Sequence, residues 1–216
     1  MILLLYILII VLVAYLLGSI NFGVLVSQWR HHDDVRKYGS GNAGATNTLR
    51  IYGKLSAALV LLGDLLKGTV AVIGARLLAQ AVHSDISLYF DEIAAVAVII
   101  GHLFPIFFKF KGGKGVSTTA GVVLAISPIT FLLLISLFVI MVILTKYVSL
   151  SSVTAASLIA PTCAIIQAIS GNGFDIPQII LGVVIALLVV FAHRENIKRL
   201  INHTENKISF KKKENK

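Results

Sequence analysis

The chain has 216 residues, 57% of them hydrophobic and only 13% charged, and its mean hydropathy is +0.91. Apolar residues in long blocks exclude a water-soluble domain and define an all-α, polytopic integral membrane protein. The formal charge of +9 flanks those blocks with no aromatic-basic reading surface, which excludes nucleic acid as a partner and leaves membrane orientation as its role.

The first block, Ile2 to Val26, lacks a basic start and a small-residue cleavage site, and is expected to be a retained helix. Further blocks run from Leu55 to Val82, Ile93 to Phe108, Val116 to Thr145, Val148 to Ile169 and Pro177 to Ala192. The lone cysteine, Cys163, lies inside one of them, so disulfides and thiol chemistry are set aside. In the second block Asp64 and Lys67 are three apart. Charges in lipid are costly, so the two are expected to neutralise each other or to face a cavity.

The third block is short for a span and the fourth is long. The long one carries Ser127-Pro128, where a proline breaks the helix ladder. Loop charge decides its course. The loops 83–92 and 170–176 hold Asp85, Asp91, Glu92 and Asp175 with no lysine or arginine, while the other loops and the tail are basic. The acidic loops are therefore expected outside and the basic ones inside. Both acidic loops fall outside only if residues 116–145 form a hairpin turning at Ser127-Pro128, crossing fully or re-entering. The expectation is seven helical segments, with the N-terminus outside and the C-terminus cytoplasmic. Residues 1–202 would form the membrane domain and 203–216 a basic polar tail, surface-lying or disordered.

Three polar segments then share the inner face. In "GSGNAGATN" (39–47), Gly39, Gly41 and Gly44 let the backbone approach a ligand. Ser40, Asn42, Thr46 and Asn47 add neutral donors and Arg50 a fixed positive fork, a set suited to phosphate. The same residues also serve an ordinary helix-connecting turn. "KFKGGKG" (109–115) surrounds Lys114 with Gly112, Gly113 and Gly115. It is no NTPase loop, since Gly115 stands where Ser or Thr is required. Lys109 and Lys111 read as orientation flanks, and Lys114 as the ligand-binding lysine. His102, in the preceding helix, reads first as a structural histidine. "HRENIKRL" (193–200) places His193 and Asn196 on one face of a helix end. Beside Arg194 and Lys198, His193 is expected to lean toward its charged form.

In that order and spacing, the segments resemble the bacterial acyl-phosphate:glycerol-3-phosphate acyltransferase family (PlsY) over almost the whole chain. The resemblance implies a seven-helix enzyme of the bacterial inner membrane with a cytoplasmic active site. It implies transfer of a fatty acyl group from acyl phosphate to the 1-hydroxyl of glycerol 3-phosphate, giving lysophosphatidic acid. The expected partners are those two substrates, the lipid bilayer and the enzyme that makes acyl phosphate; no cofactor or metal is expected. By analogy Ser40, Lys114, His193 and Asn196 are catalytic. Gly39, Gly41, Asn42, Gly44, Thr46, Asn47, Arg50, Gly112, Gly113 and Gly115 join Ser40 and Lys114 on the phosphates. One departure is visible: the family pattern has glycine two residues before Glu205, where this chain has His203. By resemblance that glutamate is structural.

No His-x-x-x-x-Asp pair occurs, so the usual base is absent. With an activated donor and no acid near Ser40 or Thr46 in sequence, the expectation is direct transfer without an acyl-enzyme, the proton going to a substrate phosphate oxygen or, as the alternative, to His193. The rival reading is a small-anion transporter, supported by Pro128 and by Asp64 with Lys67. The polar segments cluster at one face, however, while transporter sites lie near the midplane.

Overall fold

The computed structural model describes residues 2–82, 89–171 and 173–208. The described residues fold as helices: α1 (Ile2–Ser19), α2 (Phe22–His31), α3 (Ala45–Val82), α4 (Phe90–Leu103), α5 (Val116–Ile126), α6 (Pro128–Thr145), α7 (Val148–Ser157), α8 (Ile159–Ser170), α9 (Ile176–Ala192) and α10 (Arg194–Ile201). The stretches Ile2–His31, Ala45–Val82, Phe90–Phe108 and Pro128–Thr145 are each long and apolar enough to cross a membrane. The α7–α8 pair, bent by 43°, and the α9–α10 pair, bent by 65°, pass the same test as single broken spans; α5 is shorter.

Each break has a local cause. The Asn21 side chain accepts the Val24 N–H at 3.2 Å and caps a new helix. The block expected as one helix to Val26 is therefore α1 followed by α2. Within α3 the chain kinks at Gly53 (φ 82°), so its long apolar stretch starts close to the expected Leu55, and a short helical stretch from Ala45 precedes it, with the end of the first polar loop as its opening turn. At Ser127 the N–H still reaches Val123 O at 2.8 Å, and Pro128 then opens α6 at a position where its missing N–H costs nothing. A break that the sequence reading missed falls at Leu158, because Pro161 offers no N–H to the carbonyl four residues back. Of the acidic loops, residues 83–88 and residue 172 lie outside the described residues.

Helix α1 lies along α4, and α3 along α5. Glycines let these backbones touch. A Cβ on Gly18 would strike the Val98 backbone, and one on Gly101 the Tyr15 carbonyl; Gly68 and Gly121 stand likewise against the Thr118 and Leu65 carbonyls. Lipid supplies no hydrophobic force between helices, so such close packing carries their association. Phe90, Val98, Ile99, Val122, Ile185 and Val189 fill the core, while Leu8, Leu132, Ile143 and Leu187 are exposed on the outer faces. At one end of the bundle Arg76 pairs with Asp91 and donates to Ala125 O at 3.0 Å, tying α3, α4 and α5 together. The polar segments gather at the other end.

Candidate active site

The first polar loop winds around Asn47. Its Nδ2 reaches the carbonyls of Val35, Tyr38 and Asn42 at 3.2, 3.0 and 3.0 Å, and its Oδ1 accepts the Ser40 N–H at 3.0 Å. Asn47 is 2% exposed. The amide expected to bind phosphate is instead spent on shaping the loop. Gly39, at φ 62°, lies in the left-handed region, and a Cβ there would strike Asn47 Oδ1. Asn42 Oδ1 accepts the Gly44 N–H at 2.9 Å. So wound, the loop brings Ser40, Asn42, Thr46 and Arg50 to one cavity wall.

The second segment supplies one residue to that wall by its side chain. Lys109 and Lys111 are exposed. Gly113 N–H donates to His102 O at 3.2 Å; a Cβ on Gly112 would strike that carbonyl, and one on Gly113 the imidazole. These two glycines, expected on phosphate, are packing glycines. Lys114 reaches inward and its ammonium donates to Asn196 Oδ1. Burial pushes that ammonium down to about 8; Glu205 opposes the fall, and Arg199 and Arg50 add to it.

The third wall is the bend between α9 and α10. Beyond the end of α9, His193 is 2% exposed, and its Nδ1 lies 2.8 Å from the Val189 carbonyl. Only a protonated Nδ1 makes that bond, which leaves Nε2 with a free lone pair. Burial holds the imidazole down to about 4, against the support of the Val189 bond. The expectation of a charged His193 is overturned: desolvation outweighs its basic neighbours. Those neighbours are engaged elsewhere, Arg194 with Phe191 O at 3.1 Å and Lys198 with Glu195 at 3.4 Å.

Glu205 closes the site. One carboxylate oxygen accepts from Asn196 Nδ2 at 2.7 Å and Ser149 Oγ at 2.9 Å; the other pairs with Arg199 at 2.7 Å. Burial works against that charge, yet the bonds from Asn196, Arg199 and Ser149 hold it below the usual carboxylate range. Arg50 donates to Asn206 O at 3.3 Å, and Ile208 N–H to Lys146 O at 2.8 Å. Residues 204–208 thus lie on the surface of the bundle, bonded to it, the first of the two alternatives expected for the tail.

Together these walls enclose a cavity of about 490 Å³. At its polar end the first turns of α3 and α5 converge, with Ala45 and Thr46 from one and Val116 and Ser117 from the other. Helix N-termini present unpaired N–H groups and positive dipole ends, so two of them make an anion cradle. The opposite end is lined by Phe131, Leu134, Phe138 and Ile159. Gly39, Gly44, Asn47, Gly115, His193 and Asn196 line the cavity as well; Gly41, Gly112 and Gly113 do not. Asp64, His102, Ser149 and Glu205 also line it; a cavity-facing place was one of the two expectations for Asp64, His102 was read first as structural, and Ser149 and Glu205 were given no ligand-binding role. A charge and a histidine inside apolar blocks were the available signals for the first two.

A polar wall with two helix starts beside an apolar lining suits a ligand with an anionic head and an acyl chain, the class of ligand an acyltransferase of phosphorylated glycerol handles. The family model described as "Glycerol-3-phosphate acyltransferase" matches residues 8–203, and the chain belongs to that family. A glycerol-3-phosphate acyltransferase of Geobacillus kaustophilus (strain HTA426) is 40% identical over 201 residues, covering 93% of this chain and 95% of that one. One from Neisseria meningitidis serogroup B (strain ATCC BAA-335 / MC58) is 45% identical over 203 residues, covering 92% and 95%. The fold matches a crystal structure of PlsY (YgiH), an integral membrane glycerol 3-phosphate acyltransferase, in its glycerol 3-phosphate form. The TM-score is 0.79 at 35% identity, over 94% of this chain and 96% of that one. The lysophosphatidic acid form of the same protein matches with a TM-score of 0.77 at 34% identity.

Proposed function

We propose that this protein transfers a fatty acyl group from acyl phosphate to the 1-hydroxyl of glycerol 3-phosphate, giving lysophosphatidic acid and phosphate. The observation that carries this reading is Lys114 meeting Asn196 at the polar end of a cavity whose other end is apolar. Two phosphates, one on each substrate, call for two anion sites. The α3 and α5 N-termini, with Arg50 and Lys114, supply them, and the trough beside Phe131 and Phe138 suits the acyl chain.

In the proposed step the acceptor hydroxyl attacks the acyl carbonyl carbon. A C–O ester bond forms, the bond to the phosphate oxygen breaks, and phosphate leaves with that electron pair. Acyl phosphate is a mixed anhydride, so positioning and charge stabilisation supply most of what is needed. The hydroxyl proton passes to a phosphate oxygen. A monoester phosphate has a second pKa of about 6, which makes it a better base than an imidazole held at about 4. His193 Nε2 accepts a hydrogen bond from the neighbouring 2-hydroxyl of glycerol 3-phosphate and so holds the acceptor, leaving the 1-hydroxyl proton free to pass to phosphate, while Asn196 keeps Lys114 in register. Ser40 contributes a hydroxyl at the phosphate wall; we assign it no covalent role.

We place the polar end on the cytoplasmic side of a bacterial inner membrane, in keeping with the basic loops there. The transporter reading loses its best support, because Asp64 and Lys67 pair with each other at 2.8 Å. The test offers purified protein, in detergent with glycerol 3-phosphate, one donor at a time: acyl phosphate, acyl-CoA or acyl carrier protein. Lysophosphatidate from acyl phosphate alone is the expected result, and product only from a thioester overturns it.

A further inference from the structure

Behind the glycine loop lies a buried polar chain that the transfer step leaves unused. Lys67 Nζ donates to Gly18 O at 2.9 Å and Ile20 O at 2.8 Å, carbonyls left open where α1 stops. It also stands 2.8 Å from Asp64 Oδ1. That oxygen is 3.4 Å from His102 Nδ1, which is in turn 3.1 Å from Thr118 Oγ1. All four side chains are buried. The His102 carbonyl holds Gly113 N–H, and the His102 ring occupies the space where a residue-113 side chain would go. The chain therefore runs from the end of α1, through α3 and α4, to the residue before Lys114.

Burying an ion pair rarely adds stability over an apolar core, so its presence asks for another return, and fixed geometry is the one observed here. Lys114 must reach a small target, Asn196 Oδ1 and the cavity beside it. The two residues before it are glycines, with no side chains to hold the loop and much conformational freedom to lose. His102 restrains both, through its carbonyl and its ring. Displacing a catalytic group by 1 Å costs roughly a hundredfold in rate.

We propose that His102, held at Nδ1 by Thr118 and set beside the Asp64 carboxylate that Lys67 pairs, is the positioning residue for Lys114. This rests on the phosphate-binding role given to Lys114 above. The hydrogen bond to Thr118 falls on Nδ1, with the Asp64 carboxylate beside it at 3.4 Å, while the far side of the ring packs on the loop. His102 thus acts on phosphate capture and moves no proton.

The test compares His102→Asn, which puts an amide nitrogen near the place of Nδ1, with His102→Gln, which puts one near Nε2, and with His102→Ala. Steady-state kinetics and calorimetric titration with inorganic phosphate are measured on the full chain in detergent. His102→Ala should raise KM for one phosphate-bearing substrate and weaken phosphate binding, each about tenfold, while kcat falls less than about threefold. Asn should restore most of the loss and Gln should not. Adding His102→Ala to Lys114→Ala should cost nothing further, since both remove one interaction. Full additivity, or a lost kcat with unchanged phosphate binding, overturns the positioning role. If the alanine variant does not fold, Thr118→Val removes one orienting bond at constant volume and should raise the same KM about threefold; no change overturns the proposal. Wild-type protein that binds no phosphate overturns this and the proposed function together. Wild-type binding with an unaffected His102→Ala overturns the positioning role alone.

Discussion

Lys114 and Asn196 meet across the cavity, ammonium to amide oxygen, although 81 residues separate them in the chain. The same amide gives its nitrogen to Glu205 at 2.7 Å. Glycine loop, α10 and tail are therefore joined at one side chain, and changes at any of the three should be felt at the phosphate cradle.

The lysines of the second segment should separate sharply. Lys114→Ala and Arg50→Ala each remove charge-assisted hydrogen bonds worth about 1.5 to 3 kcal/mol, or about 10- to 150-fold in kcat/KM. Lys109→Ala and Lys111→Ala, both exposed, should change kcat/KM by less than about twofold. Equal losses at all three lysines would show that the segment is only an electrostatic patch.

The pH dependence follows from two groups. Lys114 binds phosphate as an ammonium, and its ordinary 10.5 is lowered to about 8 by burial. It is charged below that value, so kcat/KM should hold below pH 8 and fall about tenfold per unit above it. His193, held at about 4, stays neutral through the working range. Any inflection near pH 6 then belongs to substrate phosphate and should persist in His193→Gln. Its disappearance in that variant would assign it to the imidazole and contradict the substrate-assisted step.

Glu205→Gln should loosen the tail. The variant keeps the shape but loses the charge that Arg199, Asn196 and Ser149 serve, at a cost of about 1.5 to 3 kcal/mol. Because the folded-state pKa of Glu205 lies below its ordinary 4.5, its contribution is present above pH 4.5 and lost as pH falls through the folded value. Thermal unfolding of wild type and variant should therefore converge in acid. A constant gap down to pH 3 would assign the effect to packing.

His203 adopts φ 56°, a left-handed conformation in which a side chain costs about 1 to 2 kcal/mol. His203→Gly should relieve most of that strain, and a thermal melt in detergent would register it as a higher Tm with kcat unchanged. A lower Tm would mean that the imidazole makes up for its backbone.

The chemistry of the site was legible where it is written as local pattern. Ser40 between Gly39 and Asn42, Lys114 beside Gly115, and His193 with Asn196 at helical spacing are residues whose neighbours in sequence are also neighbours in the cavity. Asp64 and His102 stood out only as a charge and a histidine in apolar blocks, and Ser149 and Glu205 not at all as cavity residues, because their partners come from other elements and only the packing of α3, α4, α7 and α10 unites them. At Asn47, Gly112 and Gly113 the structure adds a packing role that the residue types do not announce. Their residue types suit phosphate equally well, and only the structure reveals that loop carbonyls and the His102 ring have claimed them. The charge state of His193 was misjudged for a related reason: sequence shows basic neighbours, while burial, which decides the matter, is invisible in it.

The most direct measurement gives purified protein in detergent acyl phosphate labelled in the acyl chain, first alone and then with glycerol 3-phosphate, and follows the label in protein and in lipid. Direct transfer predicts no label on the protein at any time, and lysophosphatidic acid appearing one-for-one with released phosphate only when both substrates are present. Label retained on the protein and chased into product by glycerol 3-phosphate, or no product until a thioester donor is added, would contradict the account.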